Sequence, residues 1–164
     1  DVAAFYRFSL APLARRAMAE WLPLRARYVE RCIVPVIAPG APALIARHAD
    51  AGDALVICTA TQRFITEPIA ALLGVPHLLA SEPELRNGEF TGGLVRANFQ
   101  AAKVDAVRDW MQTHGLAGRP VAAYSDSRND LPLLDFANEA IAVDPDPVLA
   151  AAAASRGWPI ISLR

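Results

Sequence analysis

Residues 121–134 read VAAYSDSRNDLPLL, and this stretch gives the clearest indication of how the chain folds and functions. It opens with a short apolar run, continues with polar residues that include Asp126, Asn129 and Asp130, and closes on an apolar segment that contains Pro132. This change of character predicts a buried strand, a polar loop and a short helix with proline near its first turn. In open α/β sheets, loops at the carboxyl ends of strands hold the ligands.

The polar loop has the chemistry of a site for a divalent cation. Asp126 and Asp130 supply two carboxylates, and Asn129 lies just before the second of them with a side-chain amide. Oxygen atoms of this kind are the ligands that Mg²⁺ prefers. The alternative is that the polar residues of this loop, including Ser125 and Ser127, serve only as turn formers.

A second stretch predicts a strand that ends in hydroxyl side chains. Residues 54–58 form a continuous apolar run, which is typical of a strand buried on both faces of a parallel sheet. Thr59, Ala60 and Thr61 follow, and residues 62–73 are predicted to form a helix. Free N–H groups and the helix dipole at a helix N-terminus favour anions, so a phosphate site is expected here. The alternative is that one of the threonines simply caps the helix.

The rest of the chain alternates helices with apolar strands, which predicts a parallel α/β sheet. Residues 1–33 show helical periodicity, and Pro12 and Pro23 are expected to kink or interrupt the helix, which favours two or three short helices over one long helix. An Asn-Gly pair at residues 87–88 predicts a β-hairpin. Lys103 lies in the first half of a helix predicted over residues 97–114. The other predicted elements are helices over 41–50 and up to Ser155, and strands over 77–80, 139–143 and 158–163.

Composition and motifs exclude several classes of protein. A net charge of -1 leaves no electrostatic footprint for nucleic acid. No apolar run approaches a membrane span, and no signal peptide is visible, so we expect no membrane partner and a cytoplasmic location. Cys32 and Cys58 lack a metal-type spacing and are expected to be buried free thiols. Neither a Gly-rich nucleotide-binding loop nor a Gly-x-Ser-x-Gly elbow is present. The oligomeric state is not predicted.

Two strand-end loops, one with hydroxyls and one with two acids, and a lysine between them resemble the haloacid dehalogenase superfamily of phosphohydrolases. The chain is most similar to the phosphoserine-phosphatase-like branch, which includes bacterial histidinol-phosphate phosphatases. Residues 55–61 resemble the second motif of that family, a hydrophobic strand that ends in Thr or Ser. Lys103 falls where the third-motif lysine is expected, and residues 124–130 resemble the fourth motif with its Asp-x-x-x-Asp spacing.

The resemblance implies a Rossmann-like parallel sheet flanked by helices over residues 35–164, preceded by part of a helical cap in residues 1–34. It also implies hydrolysis of a small phosphate ester through an aspartyl-phosphate, with Mg²⁺ as cofactor and histidinol phosphate or phosphoserine as substrate. The first motif of the family, Asp-x-Asp after the first strand, is absent from this sequence. We therefore expect the strand that carries the nucleophile to be missing and this chain alone to be inactive. The alternative is a catalytically inactive phosphate- or metal-binding fragment or domain.

The resemblance also implies a role for each residue of the site. Asp126 would bind Mg²⁺, while Thr59 and the N–H of Ala60 would bind phosphoryl oxygens. Lys103 would be catalytic by offsetting the charge on the nucleophile and on the phosphate that it binds. Asp130 would be an acid that holds Lys103 or a metal-bound water, and Asn129 would reach the phosphate or the metal. Four of the arginines in the cap either meet an anionic group of the substrate or lie on the surface: Arg7, Arg15, Arg16 and Arg25.

Overall fold

The computed structural model describes residues 2–164 as helices that alternate with strands. The α-helices are α1 (Val2–Leu10), α2 (Met18–Tyr28), α3 (Ala41–Asp50), α4 (Arg63–Leu72), α5 (Ala101–Thr113), α6 (Leu131–Phe136) and α7 (Pro147–Arg156). The strands are β1 (Val56–Gln62), β2 (His77–Arg86), β3 (Glu89–Arg96), β4 (Ala122–Ser125), β5 (Glu139–Val143) and β6 (Ile160–Ile161). The predicted α/β class, with parallel strands flanked by helices, is confirmed.

The chain forms two compact units. The first contains residues up to 37 together with 48–98, and the second contains 38–47 together with 99–164. In the first unit β1 pairs with β2 in parallel, and β2 pairs with β3 in antiparallel fashion. The second unit has three parallel strands in the order β4, β5, β6. The division into a cap and a core at residue 34 stays a prediction.

The core of the first unit is formed where the N-terminal helices meet the hairpin and α4. Tyr6 and Leu10 lie four residues apart on α1, so both side chains fall on the same face of the helix. They are buried together with Phe64 and Phe90, whose rings meet edge to face with centroids 5.0 Å apart. Burial of these large apolar side chains holds the N-terminal helices in place.

The hairpin predicted from the Asn-Gly pair is confirmed. Asn87 and Gly88 both have positive φ angles, 52° and 81°, as a two-residue type I′ turn requires. The strand before this turn is longer than the predicted residues 77–80. Its first half pairs with β1, and its second half pairs with β3 through contacts such as Arg86 with Glu89. One long strand therefore serves two partners.

Pro23 does not interrupt the helix in which it lies, so of the two expected effects, a kink or an interruption, the interruption does not occur. Helix α2 runs from Met18 to Tyr28 with Pro23 inside it. Proline removes the hydrogen bond to the carbonyl four residues earlier, which here belongs to Ala19. Because Ala19 is exposed, water can bind that carbonyl and the helix continues. The other break was predicted correctly, since Pro12 lies in a 3-10 turn after α1.

Helix α5 begins at Ala101 and not at residue 97 as predicted. Gln100 has a φ of 49°, which is outside the range of a right-handed helix. The N–H of Asn98 donates to the hydroxyl of Ser81, so residue 98 is held by the first unit. Tertiary contacts thus delay the start of the helix and place Lys103 in its first turn.

Helix α7 begins and ends as its sequence indicates. The carboxylate of Asp146 accepts the N–H groups of Val148 and Leu149, both at 2.9 Å, and Pro147 occupies the first position. Gly157 ends the helix with a left-handed φ of 70°.

Two further expectations concern the cysteines and the membrane. Both cysteines are free thiols, but neither is buried as predicted: Cys58 is half-buried, and Cys32 is exposed because it lies in a short π-helical turn that has no buried residue. Within residues 2–164 no single helix is long and apolar enough to cross a membrane, although Met18–Val36 and α3 reach that length and composition when taken together.

Because of Asp144, the stability of the second unit should change with pH in the acidic range. The Ser162 hydroxyl and the Leu163 N–H both donate to its carboxylate, and these bonds lower the pKa of Asp144. Because the folded pKa lies below the unfolded value of about 3.9, the stabilisation is complete at higher pH and is lost as pH falls through the folded pKa.

We therefore expect wild type to be more stable than Asp144→Asn at neutral pH. The difference between the two urea midpoints should shrink below a pH of about 4, because the Asp144 carboxyl of the unfolded wild type takes up its proton there, at a higher pH than in the folded state. Urea unfolding of both proteins between pH 7 and pH 3 measures this difference. A difference that grows towards low pH would contradict the assignment.

Candidate functional site

A buried ion pair lies at the carboxyl end of β4 in the second unit. Lys103 Nζ, from the first turn of α5, is 2.5 Å from Asp130 Oδ1. The two side chains are only 7% and 14% exposed. The second oxygen of Asp130 accepts the hydroxyl of Ser125 at 2.8 Å. Both carboxylate oxygens are therefore bound, and the loop after β4 is tied to α5.

Hydrogen bonds between residues close together in the sequence explain the conformation of this loop. The Ser125 hydroxyl accepts the N–H of Ser127 at 3.1 Å, and the Ser127 hydroxyl accepts the N–H of Asn129 at 3.2 Å. The N–H of Asp130 then donates to the Ser127 carbonyl at 3.0 Å. The two serines thus act as turn formers, as the alternative interpretation proposed. That interpretation does not extend to Asp126, whose carboxylate makes none of these bonds.

Asp146 braces the same loop from the start of α7. Its N–H donates to the Asp126 carbonyl at 2.8 Å, and its carboxylate accepts the Arg128 N–H at 2.6 Å. The bond from Arg128 is the main cause that lowers the pKa of Asp146, with help from the first N–H groups of α7. Nothing in the sequence indicated the contact of Asp146 with the loop. This residue was therefore missed.

The loop fits a divalent cation only in part. Asp126 is exposed, and its carboxylate has no hydrogen bond or ion pair to residues 2–164. Asp130 is already engaged by Lys103, and in the described part of the chain no group of three or more His, Cys, Asp or Glu residues could hold a metal. Mg²⁺ usually keeps several waters and takes one or two carboxylates. Asp126 is therefore suited to be one ligand among several.

The predicted phosphate loop of the first unit is a bulge in β1. Cys58 pairs with Leu79, but the next pair joins Gln62 to Ser81. Residues 59–61 thus lie opposite a single residue of β2, an arrangement that is common next to active sites. The Thr61 N–H donates to the Thr59 hydroxyl at 3.1 Å.

Neither threonine caps the helix that follows. The N-cap of α4 is Gln62, and no side chain caps its N–H groups. The alternative role for Thr59 and Thr61 was therefore wrong. The helix also begins one residue later than predicted, at Arg63.

Arg25 has a structural position within the first unit. Its guanidinium donates to the Phe64 carbonyl at 3.0 Å, lies 4.5 Å from the centroid of the Phe64 ring, and pairs with Glu67 at 3.7 Å. These contacts favour the interpretation in which this arginine packs against its own unit and does not bind substrate.

The predicted site residues are divided between the two units. Thr59 and Ala60 belong to the first unit, and the remaining predicted residues belong to the second. Within the second unit, Lys103 and Asp130 are in contact, and Asp126 lies on the same loop. The catalytic, phosphate-binding and metal-binding roles of these residues stay predictions.

Comparison with known proteins identifies the family. The haloacid dehalogenase-like hydrolase family matches residues 1–135. The chain belongs to this family. The strand-end motifs predicted this family, and that prediction is confirmed. The buried pair of Lys103 and Asp130 therefore lies in a haloacid dehalogenase-like hydrolase.

Relatives carry the names of phosphatases. A histidinol-phosphatase of Neisseria meningitidis serogroup C (strain 8013) is 31% identical over 169 residues, which cover 100% of this chain and 76% of that protein. Phosphoserine phosphatase SerB1 of Mycobacterium tuberculosis (strain ATCC 25618 / H37Rv) is 36% identical over 165 residues, covering 100% of this chain and 54% of that protein. This chain thus spans about half of the second relative. Both names support the predicted enzyme class, a phosphatase.

A solved structure shows the same fold. The crystal structure of a protein of unknown function from Bordetella pertussis Tohama I has a TM-score of 0.96 and 35% sequence identity to this chain. The similarity covers 100% of this chain and 75% of that protein.

The burial of the ion pair predicts a large effect on stability. Asp130→Asn leaves the Lys103 charge without its carboxylate, and removing one partner of a buried pair costs about 3 kcal/mol. Asp135→Asn is the matched control, because Asp135 pairs with Arg156 in the same unit but with side chains 48% and 39% exposed. That change should cost less than about 1 kcal/mol. Urea unfolding measures both losses of stability. Equal losses would show that the buried pair contributes no more to stability than the exposed one.

Proposed function

We propose that the protein containing this chain is a Mg²⁺-dependent phosphomonoesterase that acts on a small phosphorylated metabolite. The observation that carries this proposal is the buried Lys103–Asp130 pair on the loop that also presents the exposed Asp126. A fixed cation bound to a loop that carries an accessible carboxylate is suited to phosphate chemistry, in which negative charge must be neutralised. Family membership and the names of relatives support the same proposal.

Lys103 provides a preorganised positive charge. It is the only lysine in the sequence, although lysine and arginine together number 16. A compact ammonium fits a side chain that is 7% exposed, whereas arginine would bring a larger planar group. Asp130 holds this ammonium, so little reorganisation is needed when a phosphate binds. We assign Lys103 and Asp130 to catalysis on this basis.

Asp126 is the proposed protein ligand of Mg²⁺. The ion, when bound, neutralises phosphate charge and orients the phosphoryl group for in-line attack. Asp146 supports this role because it holds the Asp126 carbonyl and thereby the backbone of the loop. Asn129 is exposed on the same loop, and its side chain is proposed to contact the phosphate.

Thr59 and Ala60 are the proposed phosphate-binding residues of the first unit. A hydroxyl and a backbone N–H are both donors, and such groups bind phosphoryl oxygens strongly because the acceptor is charged. The bulge gives residues 59–61 a conformation that a regular strand would not have.

The substrate proposal follows the names of the relatives. Histidinol phosphate is the preferred candidate, and phosphoserine is the second. The aspartyl-phosphate route requires an attacking Asp, and no Asp-x-Asp motif follows a first strand within these 164 residues. That nucleophile and a cytoplasmic location remain predictions.

The decisive experiment measures phosphate release from both substrates by the complete protein. Release should require Mg²⁺ and stop when the metal is chelated. If the protein binds inorganic phosphate but releases none from either ester, the alternative of an inactive binding domain would be correct. Release that is equal with and without Mg²⁺ would overturn the metal dependence.

Asp126→Asn should abolish Mg²⁺-dependent phosphate release without lowering the melting temperature. The reason is that the exposed carboxylate can bind an ion but makes no hydrogen bond or ion pair to residues 2–164. Asp109→Asn is the matched control, since it removes another exposed acid from the second unit. The control should keep wild-type activity. Unchanged activity in Asp126→Asn would exclude this residue as a metal ligand.

Lys103→Ala should lower kcat by roughly 100-fold or more, as the loss of a preorganised charge at a reacting group does. Lys103→Arg keeps the charge but not the compact shape, so it should restore only part of the activity. Both are assayed at a temperature where circular dichroism shows them folded. If folded Lys103→Ala keeps its kcat, the lysine has only a structural role.

A further inference from the structure

The bulge in β1 leaves backbone carbonyls without strand partners. Residues 59–61 lie opposite Ala80 alone, so they cannot all join the β1–β2 hydrogen-bond ladder. A buried polar group that loses its partner costs about 1–3 kcal/mol. Side chains must therefore bind these carbonyls if the bulge is to be stable.

Asn98 binds the first of these carbonyls. Its side chain is 1% exposed, and Nδ2 donates to the Thr59 carbonyl at 3.0 Å and to the Leu79 carbonyl at 2.8 Å. The two acceptors belong to β1 and β2, so the amide bridges the strands at the point where their register changes. Oδ1 has no partner within residues 2–164, and a flipped amide would place that oxygen against two carbonyls.

Ser81 and Tyr6 bind the second carbonyl. The Ser81 hydroxyl donates to the Ala60 carbonyl at 2.8 Å, and the Tyr6 hydroxyl lies 3.0 Å from the same oxygen. The two hydroxyl oxygens are 2.7 Å apart, and both side chains are buried. The N–H of Asn98 donates to Ser81 Oγ at 2.9 Å. Asn98 thus contributes both its side chain and its backbone to one closed network.

Fixing a carbonyl also fixes the N–H on the other side of the same peptide bond. The peptide bond is planar and, in residues 2–164, always trans, so the C=O of Thr59 and the N–H of Ala60 point in opposite directions. Asn98 holds the first group and thereby sets the direction of the second. The Ala60 N–H is the backbone donor assigned above to a phosphoryl oxygen.

We infer that Asn98 is a positioning residue, which aims the Ala60 N–H at a phosphate by clamping the Thr59 carbonyl to β2. This inference rests on the proposed function. It adds a residue that was expected to lie within a helix and had no expected role. Nothing in its sequence context marks it, because its partners Thr59, Leu79 and Ser81 are 17 or more residues away.

The test compares affinity for inorganic phosphate in the complete protein. Asn98→Asp keeps the shape of the side chain but turns a carboxylate towards two carbonyls. Asn98→Ser removes the amide without adding a buried charge, which keeps the test usable if the first variant does not fold. An NMR titration gives the Kd for inorganic phosphate in the presence of Mg²⁺, with the Ala60 amide shift as the reporter. Either variant should raise the Kd about tenfold, or about 1.4 kcal/mol.

Phe90→Leu is the matched control. Phe90 belongs to the same buried cluster as Tyr6 but its side chain has no hydrogen-bonding group, so its change lowers the melting temperature while every hydrogen-bonding group of the network is kept. The control should leave the Kd within about twofold of wild type. If the control raises the Kd as much as the Asn98 variants do, or if those variants leave it unchanged, the positioning role is wrong.

If the proposed function itself is wrong, the phosphate titration gives a different result. In that case wild type itself shows no phosphate-dependent shift at the Ala60 amide, and the phosphate role of the loop falls together with the inference. If wild type binds phosphate but the Asn98 variants do not weaken binding more than the control does, only the positioning role of Asn98 is overturned.

Discussion

The second unit depends on the ion pair between Lys103 and Asp130. Two charges taken out of water stabilise a fold only when they are close and their other hydrogen-bonding positions are filled. A separation of 2.5 Å meets the first condition, and the hydroxyl of Ser125 fills the second oxygen of the carboxylate. The pair joins the start of α5 to the loop after β4, so the conformation of that loop and the position of the lysine are set together. Asp126 lies on this loop, and the N–H of Asp146 binds its carbonyl.

The same rule of filled hydrogen-bonding positions governs the first unit. There the groups are neutral carbonyls that a bulge removes from the strand ladder, and Asn98, Ser81 and Tyr6 bind them. In both units protein contacts therefore order a polar strand end. Such preorganisation suits a phosphate site, because hydrogen-bond donors that already point towards the phosphate position need not reorganise when the phosphate binds.

Local sequence was a good guide wherever neighbouring residues decide the conformation. The bounds of α3 and β5 agree with the prediction, and the Asn-Gly pair produced the expected turn. Two of the differences from the prediction have their cause in tertiary contacts. The start of α5 depends on Asn98 being held by a distant serine, and the bulge in β1 arises from pairing with β2. Neither partner is near in the sequence, so propensity and periodicity could not reveal them.

The strand-end motifs were enough to indicate the family, because the types of residue that handle phosphate and a hard cation are few and their order along the chain is distinctive. The sequence also specified which groups could donate, accept or carry charge. The folded chain alone determined which of them meet: Lys103 with Asp130, Asp146 with the loop after β4, and Asn98 with Thr59. The physical reason is that residues far apart in the chain become partners only through packing, and burial then makes the contacts of Lys103 and Asn98 obligatory.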